Sequence, residues 1–77
     1  MKIGAVIEYV TRHGLPVAVE VISVVHESTN KYGEQCVTMW VQRIRKTRRR
    51  KPFPLTIATS ADNQRVVGDG KVLAIIG

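Results

Sequence analysis

The most regular pattern along the chain is an alternation of side-chain types near its centre. From Val17 to His26, one face carries valine or serine at every second position, and the other face is mostly apolar as well. A period of two predicts a strand. Two apolar faces indicate a central strand that is covered on both sides.

The same alternation returns after a polar interval. Residues 27–35 include serine, asparagine and glycine, which predict a hairpin loop. Cys36–Ile44 then predicts the return strand, with one apolar face made by Val37, Met39 and Val41. Two long strands joined by a polar loop form a hairpin whose tip can project from the body.

Residues 3–13 fit two different periods. At a period of two, one face carries Ile3, Ala5, Ile7 and Tyr9. At a helical period, a stripe forms from Ile3, Val6, Ile7 and Val10. Gly14 is placed to end such a helix. The strand is the favoured interpretation, and a helix here, which would make the fold α+β, is the alternative.

The last third of the chain contains short apolar runs between turn-forming residues. Two prolines in Lys51–Pro54 predict an extended segment that stays out of the sheet ladder. Residues 60–63 predict a turn, and Gly-Asp-Gly at 68–70 predicts a tight hairpin turn. The strands that these turns separate are Leu55–Thr59, Arg65–Val67 and Lys71–Ile76.

These elements predict a single all-β domain over residues 1–77, built as a small five- or six-stranded barrel or rolled sheet. A domain of this length has a thin core. The opening pattern resembles the first hairpin of SH3-like barrels in the residues Gly4-x-Val6-x-x-Tyr9 and Gly14-x-x-Val17-x-Val19-x-Val21. The resemblance spans about the first third of the chain and implies an SH3-like outline, which serves many unrelated functions.

Positive charge is concentrated in one segment. The chain has 12 lysines and arginines against 6 acidic residues, a net charge of +6. Residues 43–51, here called the basic segment, hold seven of the cations: Arg43, Arg45, Lys46, Arg48, Arg49, Arg50 and Lys51. The other five cations are matched by six acids, so the rest of the chain is nearly neutral. A cationic segment on a neutral body predicts a located binding site for a polyanion.

The basic segment favours nucleic acid as that polyanion. Phosphates relieve the repulsion among clustered cations and release counterions when they are bound. Five of the seven cations are arginines, whose planar group matches a phosphate with two parallel N–H donors. Either DNA or RNA satisfies this chemistry. The alternative is a small adaptor or inhibitor, of viral or mobile-element type, that binds an acidic protein partner.

A third interpretation is a homo-oligomer. Valine-rich strands at the edge of a sheet can pair between subunits, because an unpaired edge presents free backbone N–H and C=O groups. Such an assembly would make this chain a structural protein.

Aromatic residues flank the basic segment. Bases of single-stranded nucleic acid stack on such rings. Phe53 lies between two prolines and is the predicted exposed ring, so it joins the seven cations as a candidate contact. Trp40 is predicted to lie in the core because of its size. Arg12, Lys31 and Arg65 are predicted outlying contacts.

Residue spacing gives no support for catalysis, metal binding or a cofactor. The acidic residues are scattered singly, and Gly-Asp-Gly at 68–70 lacks the lysine and helix of a phosphate loop. His13, His26 and Cys36 lack the closely spaced pairs of structural zinc sites. We expect no enzyme activity, surface histidines, and a reduced, buried Cys36.

The sequence also predicts the compartment. A lone cysteine fits reducing surroundings. The longest apolar stretch, Leu15–Val25, contains Glu20 and is shorter than the ~20 residues of a membrane-spanning helix. The first residues lack a cationic start followed by an apolar block. We therefore expect a cytoplasmic protein that does not insert into membranes.

Overall fold

The computed structural model describes residues 2–44, 51–59 and 64–77. These residues form six antiparallel strands in a nearly closed barrel, and none of them is helical. The strands are β1 (Val6–Val10), β2 (Pro16–Thr29), β3 (Gln35–Arg43), β4 (Phe53–Thr59), β5 (Gln64–Val66) and β6 (Val72–Ile76). The predicted all-β barrel is confirmed, and so is the strand, rather than the helix, near the start of the chain.

The strands follow one another around the barrel, except for β6. The order is β5-β4-β3-β2-β1-β6, so β6 returns to pair with β1. Between β5 and β6 there is only a seam. It consists of one bridge between Arg65 and Lys71 and the 2.9 Å hydrogen bond that Val66 N–H donates to the Gly70 carbonyl. The predicted hairpin around residues 68–70 is therefore only a turn with a short seam, because β6 continues along β1.

Gly70 makes this seam possible. A Cβ at this position would lie 2.2 Å from the carbonyl oxygen of Val10, much closer than two such atoms can approach. The backbone of Val10 instead donates a 3.0 Å hydrogen bond to the Lys71 carbonyl. A residue without a side chain lets the turn before β6 lie directly on the end of β1.

Alternate residues of the strands fill the barrel. The residues with no exposed surface include Ile7, Val19, Val21, Met39 and Val41. Burying each of these side chains contributes about 1.5–3 kcal/mol. Branched and flexible side chains of moderate size suit so narrow an interior. The alternation predicted for both long strands holds where they enclose this core.

Trp40 does not lie in the core. It follows Met39 and precedes Val41, which both point inward, so strand alternation turns Trp40 outward, where 42% of it is exposed. It lies in register with Ser23 and Pro54 on the outer wall. The prediction from size was wrong because the two-residue period determines the direction of the side chain.

The long hairpin is paired over more residues than the sequence predicted. β2 and β3 remain paired as far as Thr29 and Gln35, inside the predicted loop, and the turn is shorter. The amide oxygen of Asn30 accepts hydrogen bonds from the backbone N–H groups of Tyr32 and Glu34, which fixes this turn. Such backbone pairing needs no apolar side chains.

The outer half of β2, Val24–Thr29, is exposed throughout, so β2 is not covered on both sides as predicted. Beyond Val21, β2 pairs with β3 alone among the described strands. The register shifts between Val21 and Ser23 and again between Val24 and His26. Such irregularities bend and twist a strand. We call Val24–Thr29 the arm.

The segment with two prolines enters the sheet. Phe53 and Pro54 pair with Val41 and Trp40 at the start of β4, where a segment outside the ladder was predicted. Proline is accepted here because β5 pairs only with residues 57–59, so Pro54 has no partner on this edge among the described strands. No helix in the described part of the chain is long and apolar enough to cross a membrane.

Candidate functional site

The two described ends of the basic segment lie at one end of the barrel. Arg43 is the last residue of β3, and Lys51 stands two positions before β4. The five cations between them fall outside the described residues: Arg45, Lys46, Arg48, Arg49 and Arg50. Because β3 and β4 pair as far as Val41 and Phe53, the basic segment connects two adjacent strands at this end.

A hollow of about 450 Å³ opens at the same end of the barrel. Three parts of the chain meet around it: the end of β1, the connection between β3 and β4, and the turn between β5 and β6. Its lining residues are Tyr9, Thr11, Arg43, Lys51, Phe53 and Asp69. The hollow thus combines two cations, a carboxylate, two hydroxyl groups and two aromatic rings, one of which carries a hydroxyl group.

Electrostatic effects connect three of these side chains. The pKa of Tyr9 is raised above 10.0, chiefly because burial disfavours the phenolate and also because the Asp69 carboxylate is near. The positive charge of Arg43 opposes this shift. The Tyr9 hydroxyl therefore remains protonated at neutral pH and can donate a hydrogen bond into the hollow.

Asp69 also joins two turns. One of its carboxylate oxygens accepts a 3.2 Å hydrogen bond from the backbone N–H of Arg12, in the turn between β1 and β2. Arg12 is exposed, and its Nε lies 3.4 Å from Nε2 of the neighbouring His13. Arg12, a predicted outlying contact, therefore lies beside the hollow at the end of the barrel that carries Arg43.

Phe53 is not the freely exposed ring that the flanking prolines suggested. It is partly buried and packs against the core, in register with Val41. Its remaining surface forms part of the wall of the hollow. Phe53 therefore keeps its place among the candidate contacts, but as a ring fixed by the barrel.

The other two outlying cations lie at the far end. β3 has nine residues, about 27 Å of strand at ~3.4 Å per residue, and Lys31 and Arg65 lie near its start while Arg43 ends it. Lys31 Nζ stands 5.1 Å from the centre of the Tyr32 ring. Neither Lys31 nor Arg65 lines the hollow.

Arg65 has a partner of its own. Its guanidinium forms an ion pair with the Glu34 carboxylate. The pKa of Glu34 is lowered, first because its carboxylate accepts a hydrogen bond from Asn30 and then because it accepts one from Arg65. This pairing commits Arg65 to the arm end of the barrel.

The burial predicted for Cys36 is confirmed, although its side chain lies on the outer wall. It stands in register with Ala58, and Ala58 with Arg65. To reach Glu34, Arg65 must extend across β4, over this row. The small Ala58 leaves room for it, and Cys36 remains only 7% exposed.

His13 and His26 are exposed, as predicted. Among residues 2–44, 51–59 and 64–77, no three histidine, cysteine or acidic side chains come together in a way that could hold a metal ion.

The sequence did not indicate Tyr9, Thr11 or Asp69 as site residues. Tyr9 was assigned to an apolar face and Asp69 to a turn, and both assignments hold. Their meeting around the hollow depends on which turns share an end of the barrel. An aspartate between two glycines is an ordinary turn pattern, so the sequence held no signal for this meeting.

No known protein family, curated protein or solved structure matches this chain. Its function is therefore inferred from its own residues.

Proposed function

We propose that this protein binds nucleic acid through the end of the barrel that carries the basic segment. Arg43 and Lys51 are the two phosphate-binding cations at described positions. The five cations between them are included because of their place in the sequence. The segment makes phosphate contacts that do not depend on base sequence, because each arginine can hold a phosphate with two N–H groups.

The observation that supports this proposal best is the position of Arg43, Lys51 and Phe53 around one hollow. Two cations and an aromatic ring on one surface suit a phosphate and a base of the same ligand. The charge distribution adds to this support. Seven cations lie in nine residues, while the rest of the chain is close to neutral. Such a distribution directs a polyanion to one place instead of the whole surface.

The experiment compares two triple variants by salt-dependent binding to labelled DNA and RNA. Changing Arg48, Arg49 and Arg50 to Ala removes three cations of the basic segment. If all three contact duplex DNA, the slope of log K against log salt flattens by about 2.7. Circular dichroism checks that the fold is intact, as expected for exposed charges, which contribute up to about 1 kcal/mol each.

The matched control changes Lys2, Lys31 and Arg65 to Ala, none of which lies at the hollow or in the turns that border it. It lowers the net charge by the same amount at exposed positions outside the basic segment. The proposal expects this variant to keep most of the wild-type affinity and slope. Equal losses in both variants would mean that net charge alone attracts the nucleic acid. A further variant replaces the three arginines by Lys, which keeps the charge and removes the planar donor group. Retained affinity would assign binding to charge, and lost affinity would assign it to the geometry of arginine.

Absence of binding to any oligonucleotide at low salt, where the attraction is strongest, would exclude nucleic acid. An acidic protein partner would then be the leading candidate, since the same field attracts it.

A further inference from the structure

We infer that the hollow receives one unpaired nucleotide, so that the protein prefers single-stranded to duplex nucleic acid. This inference rests on the proposed function and adds to it the class of nucleic acid. It is carried by described residues alone: the ring of Phe53, the cations Arg43 and Lys51, and the carboxylate of Asp69.

The size of the hollow fits a base. Pockets that bind small molecules enclose roughly 300–1,000 Å³, and this one encloses about 450 Å³. In a duplex the bases are stacked and paired, so a base enters a pocket only when it is unstacked. A single strand presents such bases without the cost of breaking a pair. A pocket of this size at a phosphate-binding surface therefore favours single strands.

Phe53 provides a fixed stacking surface. It packs on the core through its contact with the buried cluster and borders the hollow with its remaining surface. A ring held in place by the barrel loses little freedom when a base stacks on it. Stacking on aromatic side chains tolerates any base, because every base has a flat π face.

The charged groups match the other parts of a nucleotide. Arg43 and Lys51 border the same hollow and can hold the phosphates on either side of the base. The carboxylate of Asp69 can only accept hydrogen bonds. It would repel a phosphate and favours the N–H groups on the edge of a base. Asp69 already accepts a hydrogen bond from the Arg12 backbone N–H, and a carboxylate has further acceptor capacity for a base.

The test uses three variants in which an aromatic residue becomes leucine. Phe53→Leu removes the ring from the hollow. Trp40→Leu removes the 42% exposed ring on the outer wall, and Tyr32→Leu removes the 73% exposed ring at the tip beyond the arm. Each is titrated by fluorescence anisotropy with a labelled single strand of mixed sequence and with a hairpin duplex of the same sequence.

The wild type should bind the single strand about five-fold or more tightly than the duplex, the least that one stacked base contributes. Phe53→Leu should lose that preference, because its affinity for the single strand falls more than its affinity for the duplex. Trp40→Leu and Tyr32→Leu should behave as the wild type does. A loss of the preference in either of these two, and not in Phe53→Leu, would overturn the inference.

A measurement on the wild type covers the case in which Phe53→Leu fails to fold. Trp40 is the only tryptophan, so its fluorescence reports on the outer wall. It should remain unquenched when the strand binds, while the NMR signals of the backbone amides of Thr11, Phe53 and Asp69 shift. Quenching of Trp40 with no shift at these amides would place the strand elsewhere.

Two further binding measurements define the class of ligand. Free mononucleotides share the base and phosphate chemistry, and they should bind far more weakly than the strand, since they lack its further phosphates. Equal affinity would assign the hollow to a free nucleotide and overturn the inference. Equal binding of single strand and duplex would also overturn it, but would leave the proposed function standing. Absence of all nucleic-acid binding would overturn both.

Discussion

At the scale of single residues, the seam of the barrel depends on a position that has no side chain. Gly70 lies against the carbonyl oxygens of Val10 and Thr11, where the turn before β6 meets the end of β1. The other five glycines all have positive φ, so glycine is favoured at those positions by the backbone conformation. At Gly70 the need is for space.

The prediction is that Gly70→Ala destabilises the fold by about 3 kcal/mol, the upper part of the range for overpacking, because the 2.2 Å approach involves backbone that cannot rotate away. Urea denaturation measures the effect. Gly33→Ala is the matched control. Gly33 has φ of +80° and nothing within 4 Å, so it should cost only the ~1–2 kcal/mol of a left-handed alanine. A smaller loss at Gly70 than at Gly33 would contradict the reasoning.

Single residues also show where sequence reasoning fails. The inward positions of Met39 and Val41 were correctly predicted from alternation, and the same alternation requires Trp40 to point outward. The contrary prediction for Trp40 used its size instead of its position. The prediction that Phe53 is exposed relied on the flanking prolines. Phe53 stands two positions before the buried Leu55, so strand alternation places both side chains on the inward face. For both residues the period of the strand was the better guide.

At the scale of elements, the arm is the part of the sheet with the least support. It pairs with β3 on one edge, its other edge has no partner among the described strands, and all six residues are exposed. An exposed edge invites pairing with other chains. The irregularities at Ile22 and Val25 twist this edge, which hinders such pairing.

Hydrogen exchange should separate the arm from the rest of β2. We expect the amides of Val24–Thr29 to exchange faster than those of Val17–Val21, because the latter pair with β1 and β3 or lie in the core. The segment of β3 opposite the arm should stay protected, since β4 covers its second edge. Mass spectrometry of peptides from the exchanged protein measures this difference.

Equal protection along β2 would contradict this expectation. It would mean that something covers the free edge of the arm, and a second copy of the chain is the simplest such partner. The mass of the protein in solution would then test the homo-oligomer interpretation directly.

The sequence predicted the strands correctly where their position is marked by alternating apolar side chains. Where β2 and β3 enclose the core, apolar residues recur at every second position. Where they leave it, only backbone hydrogen bonds hold them together, so polar residues 27–29 gave no sign of strand. The pairing of β6 with β1 joins distant parts of the chain, which local patterns do not encode.

At the scale of the whole molecule, charge is distributed unevenly. Seven cations in nine residues repel one another, and the repulsion weakens when salt screens it. The basic segment itself was evident in the sequence. The hollow beside it was not, because it forms where three separate parts of the chain meet at one end of a nearly closed barrel.

This repulsion makes stability depend on salt. Raising the ionic strength from about 0.01 M to about 1 M shortens the Debye length from about 30 Å to about 3 Å. The thermal unfolding midpoint of the wild type should rise more over this range than that of the variant with Arg48, Arg49 and Arg50 changed to Ala. Effects of salt on burial and on the Arg65–Glu34 pair are common to both proteins. Equal rises would show that the basic segment does not strain the fold.

The return of β6 to β1 also governs how the chain can fold while it is being synthesised. β2, β3 and β4 pair with their neighbours in sequence, so they can associate as they leave the ribosome. The outer edge of β1 has no such neighbour, because its partner is made after all the other described strands. Until then the nascent sheet is open, and unpaired edges of this kind are where incomplete chains associate wrongly. The outer edge of β1 therefore stays unpaired from the synthesis of β1 until β6 has been made. Slower translation of the residues between them lengthens the time during which this edge is exposed.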